Sequence, residues 1–240
     1  MTGDTRGGDG RGNGSRTGGG GAAAQAEVLI PGEHVLEGLL EWPEGDEVLG
    51  GVVVAHPHPL YGGTMRQPVV HHVARACRRK GLATLRFNFR GVGASAGSYT
   101  GLEEFHDVRA AAAFLRAQLP AGLPVSLAGY SFGSWMTALA AIDGEPAAAL
   151  ALVAFPVEWD EFSPGFFERL GEFSGPVIAV CGEFDTISPP ADAEAFLRSV
   201  GLDPELVVVA GVDHFFMGAG EQVAEPAADF LLRASVERTR

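Results

Sequence analysis

Residues 124–128, PVSLA, run directly into Gly129-Tyr130-Ser131-Phe132-Gly133, and these into 134–142, SWMTALAAI. The first segment is short and apolar, as a buried strand is; the last is rich in good helix formers, and the five residues between them leave no room for a loop. A strand that turns into a helix this abruptly forces the central residue into strained dihedrals. Glycines at 129 and 133 supply room where the two backbones nearly touch. The turn presents the Ser131 hydroxyl at a helix N-terminus, where the Phe132 amide and the helix dipole face any developing negative charge.

A serine hydroxyl is a weak nucleophile at neutral pH, so chemistry at Ser131 requires a histidine base and an acid to orient it. Downstream, the apolar run 177–181 precedes Gly182-Glu183-Phe184-Asp185, and the run 206–210 precedes Gly211-Val212-Asp213-His214. An acid and a histidine thus each follow a strand's C-terminal end, where open α/β sheets place their sites. Of the seven histidines, His214 alone follows the last predicted strand; His34 belongs to an edge hairpin, His71 and His72 to a helix, and His106 to the first turn of another. Glu183 and Asp213 are rivals of Asp185 for the acid.

Outward from this core, short β-branched runs alternate with amphipathic stretches, which predicts a mostly parallel sheet flanked by helices, an α/β fold. Glu27 to Trp42, with Pro31-Gly32 at its middle, reads as an antiparallel hairpin at the sheet edge, and 48–55 as the first buried strand. A helix near 69–80 and a strand over 83–89 follow, the latter with Leu85, Phe87 and Phe89 on one face. Thr100-Gly-Leu-Glu103 has the form of a capping box for a helix over 101–118. Further strands are expected at 148–154, 177–181 and 206–209, and further helices at 132–142, 191–200 and 221–233. Gly91, Gly93 and Gly97 miss the dinucleotide spacing by one position and mark a tight turn, with Asn88 and Arg90 as its polar flanks.

Composition narrows the function. Lys and Arg number 17 against 30 Asp and Glu, a formal charge of −13, which disfavours nucleic acid and anionic membranes as partners. No apolar run reaches the length of a spanning helix, so membrane insertion is not expected. Cys77 and Cys181 form no CxxC pair, which argues against a disulfide framework or a cysteine zinc site. Residues 1–24 are Gly-rich and read as a disordered tail without the apolar centre of a secretory signal, so a cytoplasmic location is expected, with 25–240 as a single domain.

The elbow, the order Ser131, Asp185, His214 and the strand count resemble the α/β-hydrolase superfamily over about residues 26–240. Residues 56–65, HPHPLYGGTM, and 87–97, FNFRGVGASAG, are similar to small, nearly lidless bacterial hydrolases of the dienelactone-hydrolase-like and serine-peptidase-like branches. Dienelactone hydrolases carry a cysteine at the elbow, and dehalogenases and epoxide hydrolases an aspartate, so Ser131 turns the expectation away from those substrates. The resemblance implies Asp185 as the acid, at the family's Gly-x-x-Asp position. It also implies a second oxyanion donor two residues after His56, the His58 amide, beside that of Phe132; Pro57 and Pro59 have no N–H to give, and Leu60 is the fallback.

Larger relatives insert a cap where this chain has only 155–176, a segment crowded with aromatics. Phe155, Trp159 and Phe162, with Tyr61 and Met65, are expected to wall an acyl pocket. The reading is therefore a serine hydrolase of carboxylesterase type, cleaving an ester or related acyl bond of a small-molecule acyl substrate through an acyl-enzyme. No cofactor is implied, and His56 and His58 lack the further ligands a metal site needs. A peptidase or amidase of the same fold, and a non-catalytic binding protein, are the alternatives.

Overall fold

The computed structural model describes residues 25–157 and 164–239. Eight strands form one sheet in the order β1-β2-β4-β3-β5-β6-β7-β8. The edge hairpin is β1 (Gln25–Ile30) and β2 (Leu36–Glu41), antiparallel to each other and to β4 (Leu82–Phe87). From there β3 (Gly50–Ala55), β5 (Val125–Tyr130), β6 (Leu150–Val153), β7 (Val177–Gly182) and β8 (Glu205–Val209) run parallel.

Alternation along each strand sorts the core into two layers, one per sheet face. Val53, Ala55, Leu85, Phe87 and Leu127 pack with α2 (Phe105–Gln118) and α3 (Phe132–Ile142), and Leu197 of α4 (Pro190–Ser199) joins the same layer. Val52, Val54 and Ala128 face the other way, onto α1 (Pro68–Arg79) and α5 (Gly220–Arg238). Phe89 stays in the layer of Leu85 and Phe87 although β4 ends two residues earlier.

This layering positions the site. β3 pairs with β4 on one side and β5 on the other, while the helix after β3 packs on one face and the helix after β5 on the opposite face. The loops leaving β3 and β5 therefore part company and open a crevice at the strands' C-terminal ends.

Buried charges fix the loop after β3. Glu41 accepts from Arg86 at 2.8 and 3.0 Å and from Arg78 at 2.8 Å, and Arg86 also donates to the Met65 carbonyl at 2.9 Å. Asn88 Oδ1 receives the Met65 amide at 2.7 Å. Arg90, 1% exposed, forks onto Asp107, its Nε and Nη2 donating to Oδ1 at 3.1 and 2.9 Å and its amide to Oδ2. Asn88 and Arg90 are thus structural, holding the glycine turn to its surroundings.

One expectation about an element needs correction, and one element is new. The helix expected from 101 begins at Phe105, with Glu104 at its N-cap and no side-chain cap; Thr100 Oγ1 accepts the Glu103 amide at 3.0 Å and Glu104 Oε1 accepts the Thr100 amide at 2.7 Å, so these bonds close a turn ahead of the helix rather than a capping box. The cap segment carries a short 3₁₀ helix over Pro164–Glu172 that the sequence did not announce. Among the described residues no helix is long and apolar enough to cross a membrane. The tail at 1–24 lies outside them.

Candidate active site

Ser131 sits between β5 and α3 with φ 54° and ψ −119°, a conformation L-residues rarely hold. The flanking glycines explain how it persists. A Cβ on Gly129 would lie 2.2 Å from the Gly133 carbonyl oxygen, and one on Gly133 would lie 2.5 and 2.6 Å from the carbonyl oxygens of Ala55 and His56. Only hydrogen fits at either place, so the elbow packs directly on the end of β3.

The structure brings Ser131, His214 and Asp185 together. His214 Nε2 is 3.0 Å from Ser131 Oγ, and Nδ1 is 2.8 Å from Asp185 Oδ2. A carboxylate only accepts, so Nδ1 carries the ring proton and Nε2 offers its lone pair to the hydroxyl. All three residues are buried. Burial opposes ionisation of Asp185, but hydrogen bonds from His214 and from the Ser188 and Ile187 amides more than offset it and hold the carboxyl below its ordinary value. Those amides reach Oδ1 at 2.7 and 2.9 Å, so Asp185-Thr-Ile-Ser188 is an Asx turn that aims Oδ2 at the imidazole.

The rival acids are engaged elsewhere. Glu183 accepts the Gly211 amide at 2.8 Å, and Asp213 the Phe215 amide at 3.0 Å. Tyr130 donates to the His214 carbonyl at 2.9 Å and anchors the histidine loop to the elbow strand. Burial, with the charges of Asp185 and Asp213, raises its phenol above the ordinary value, so it remains a neutral donor. Sequence reasoning missed this link and the Asx turn, although the spacing of Asp185 and Ser188 is a usable signal for the turn.

The histidines after β3 have distinct tasks. His56 Nδ1 donates to the Pro57 carbonyl at 2.6 Å while Nε2 accepts the Phe89 amide at 3.1 Å, so both nitrogens are occupied within the protein. Burial lowers its pKa to about 4 and keeps it neutral. His58 Nδ1 accepts the Leu60 amide at 3.2 Å, which leaves the proton on Nε2 to meet Tyr99 Oη at 2.8 Å. Its ring lies 5.0 Å from that of Phe132, so the two residues implied as oxyanion donors adjoin. Among the described residues no cluster of His, Cys, Asp or Glu has a metal-binding arrangement. Burial pushes both cysteine thiols up to about 12, so neither competes as a nucleophile.

A cavity of about 900 Å³ opens beside Ser131 and His214. Its walls correct the expected pocket. Tyr61 lines it, but Met65 is 2% exposed and held by its backbone in the core, and Phe155 is fully buried in the α3 layer against Phe167 and Phe196. Trp159 and Phe162 lie outside the described residues. The walls come instead from the start of α1, with Pro68 and Val69, and from the loop into α5, with Phe215, Phe216 and Met217. Phe216 adopts φ 51° and turns its ring inward against Tyr130, leaving Phe215 and Met217 61% and 82% exposed at the rim.

A mostly parallel sheet with a serine elbow, a hydrogen-bonded histidine and an adjoining cavity is the build of a hydrolase. An α/β serine hydrolase homologue from Coxiella burnetii is 35% identical, with 87% of this chain and 96% of that one covered and a TM-score of 0.76. An α/β serine hydrolase without a lid from Xanthomonas campestris is 32% identical over 87% and 94%, with a TM-score of 0.75. The chain belongs to the α/β serine hydrolase family. An esterase from Pyrococcus furiosus, 16% identical over 88% and 93% with a TM-score of 0.72, shares the fold. No protein-family model matches the chain.

Proposed function

We propose that the protein is a carboxylesterase-like serine hydrolase that cleaves small acyl esters with Ser131 as nucleophile, His214 as general base and acid, and Asp185 as its orienting partner. The observation that carries this reading is the continuous hydrogen-bonded chain from Ser131 Oγ through His214 to Asp185, mounted on the strained elbow.

Ser131 Oγ attacks the acyl carbon as its proton passes to His214 Nε2, and the imidazolium is stabilised by the Asp185 carboxylate. The carbonyl oxygen becomes an oxyanion beside the start of α3. The Phe132 amide, one of the first amides of that helix and without an intrahelical acceptor, and the His58 amide are the proposed donors. The Leu60 amide is already given to His58 Nδ1, which favours His58 over it. Collapse expels the alkoxide, which takes the proton from Nε2; water then repeats the sequence on the acyl-enzyme and releases the acid. An ester rather than an amide is favoured by the open rim and largely apolar walls, whose charged member Glu221 is already taken up by Arg75 and Arg79. The Pyrococcus furiosus esterase on the same fold supports this choice.

Turnover of 4-nitrophenyl acyl esters against the matching anilides tests the proposal. Ester hydrolysis abolished by Ser131→Ala is the expected result; faster anilide than ester cleavage, or ester cleavage that survives the substitution, overturns it.

A further inference from the structure

Besides His58 and His214, the cavity is lined by a third histidine, which the proposed mechanism does not use. His72, on α1, lines the same space as Ser131 and His214, where the helix meets the start of α5. Its Nδ1 lies 3.2 Å from Glu221 Oε1. Glu221 is itself gripped by Arg75 and by Arg79, the latter at 2.9 Å, and these partners, Arg79 foremost, lower its pKa to about 2. An ionised carboxylate requires the proton on Nδ1, which leaves Nε2 as the ring's remaining hydrogen-bonding atom. Among the described residues Nε2 has no hydrogen-bond partner.

The ring is also held sterically. A Cβ on Gly220 would fall 2.3 Å from His72 Cδ2 and 2.7 Å from its Nε2, so the absence of a side chain there lets the imidazole lie flush on the first turn of α5 and leaves Nε2 uncovered by a side chain from that position. With 30% of its side-chain surface open, the ring keeps one part free while its position is fixed by Glu221 and Gly220. A rigid, oriented polar atom in a mainly apolar space is the usual means by which a pocket reads one group on a ligand.

The neighbouring charges indicate which group. Arg75 and Arg79 are spent on Glu221, Arg79 also on Glu225, and Lys80 on Glu225 and Asp229. Cations and anions balance along this seam, so neither an anionic nor a cationic substituent is favoured. A hydroxyl suits His72 in either state of the ring, donating to a bare Nε2 or accepting from a protonated one.

We infer that His72, oriented by Glu221 and Gly220, is a specificity residue that binds a hydroxyl carried by the substrate away from its scissile bond, so that hydroxylated esters are preferred over their plain counterparts. The inference rests on the esterase reading and deepens it by naming the substrate class. A site that hydrogen-bonds a substrate hydroxyl discriminates against analogues lacking it.

The test compares kcat/KM for methyl ω-hydroxyalkanoates and methyl alkanoates of increasing chain length, and likewise for ω-hydroxyalkyl and alkyl acetates, which place the hydroxyl on the other arm. Wild type is expected to favour the hydroxylated member in one series by about five- to tenfold at its best length, and His72→Phe to reduce that ratio to about one. His72→Gln, which keeps a polar end, restores part of the preference. Lys80→Ala, which loosens the same helix pair outside the cavity, leaves the ratio unchanged. Equal rates for hydroxylated and plain esters at every length in both series overturn the inference, as does a ratio that falls as far in Lys80→Ala as in His72→Phe. Plain ester turnover dependent on Ser131, with no hydroxyl preference, leaves the esterase reading standing; no turnover of any ester removes both.

Discussion

At Gly133 the elbow has no spare volume. Alanine there sets a Cβ against two main-chain carbonyls of the β3 end, neither of which is a flexible side-chain tip that moves cheaply. Gly133→Ala is expected to cost about 3 kcal/mol in urea unfolding, with turnover of the proposed ester substrates falling as the Ser131 dihedrals relax. Asp185→Asn keeps the shape of the site but offers an amide to the imidazole and favours the wrong tautomer; kcat is expected to fall by about 10⁴ with little change in KM. The Asp185→Asn rate, measured under saturating ester, separates this role from those of Glu183 and Asp213, whose carboxylates serve nearby amides. Residues of this kind were legible in the sequence because the elbow is local chemistry: strand, two glycines and helix lie together within residues 124–142. Met65 and Phe155 were not, since an apolar residue near a site reads the same whether it faces the cavity or the core.

Among the elements, α2 shows how one position changes a boundary. Thr100-x-x-Glu103 fits the capping pattern, but the carboxylate that returns to the Thr100 amide belongs to the buried Glu104, and the helix itself starts only at Phe105. Thr100→Ala and Glu104→Ala are each expected to lose about 1 kcal/mol or more of stability, and Glu103→Ala appreciably less, in thermal or chemical unfolding. The strands and remaining helices were legible to within about two residues, because each carries its own period and punctuation, except that α5 runs to Arg238 rather than ending at 233. The cavity walls were not: they form where the start of α1 meets the loop into α5, and that meeting depends on which helices share a sheet face. The exposed rim gives a further outcome. Met217→Ser is expected to lower kcat/KM severalfold for longer acyl chains while leaving acetates little changed, since the lost contact is apolar and peripheral.

For the whole molecule, acid is the condition that loads against the fold. An unfolded chain protonates His56 near 6.5, whereas the folded chain resists until about 4, so between these values the unfolded state holds the extra proton. Stability from this group is full above pH 6.5 and is lost as pH falls toward 4, by about 3 kcal/mol. Asp185 and Glu221, held below their ordinary values, extend the loss further, their contributions vanishing as pH drops through their lowered pKa values. Urea midpoints at pH 7 and pH 4.5 are expected to differ less in His56→Gln than in wild type. The same histidine ties the β3 loop to Phe89, so the acid sensitivity lies beside the elbow itself.

Intact-mass analysis after treatment with a fluorophosphonate tests most directly whether this fold carries an activated serine, because it needs no knowledge of the substrate. The expected result is one adduct per chain on wild type and none on Ser131→Ala. A folded wild-type protein that takes up no label, or a Ser131→Ala variant that labels as readily, contradicts the assignment of Ser131 as nucleophile.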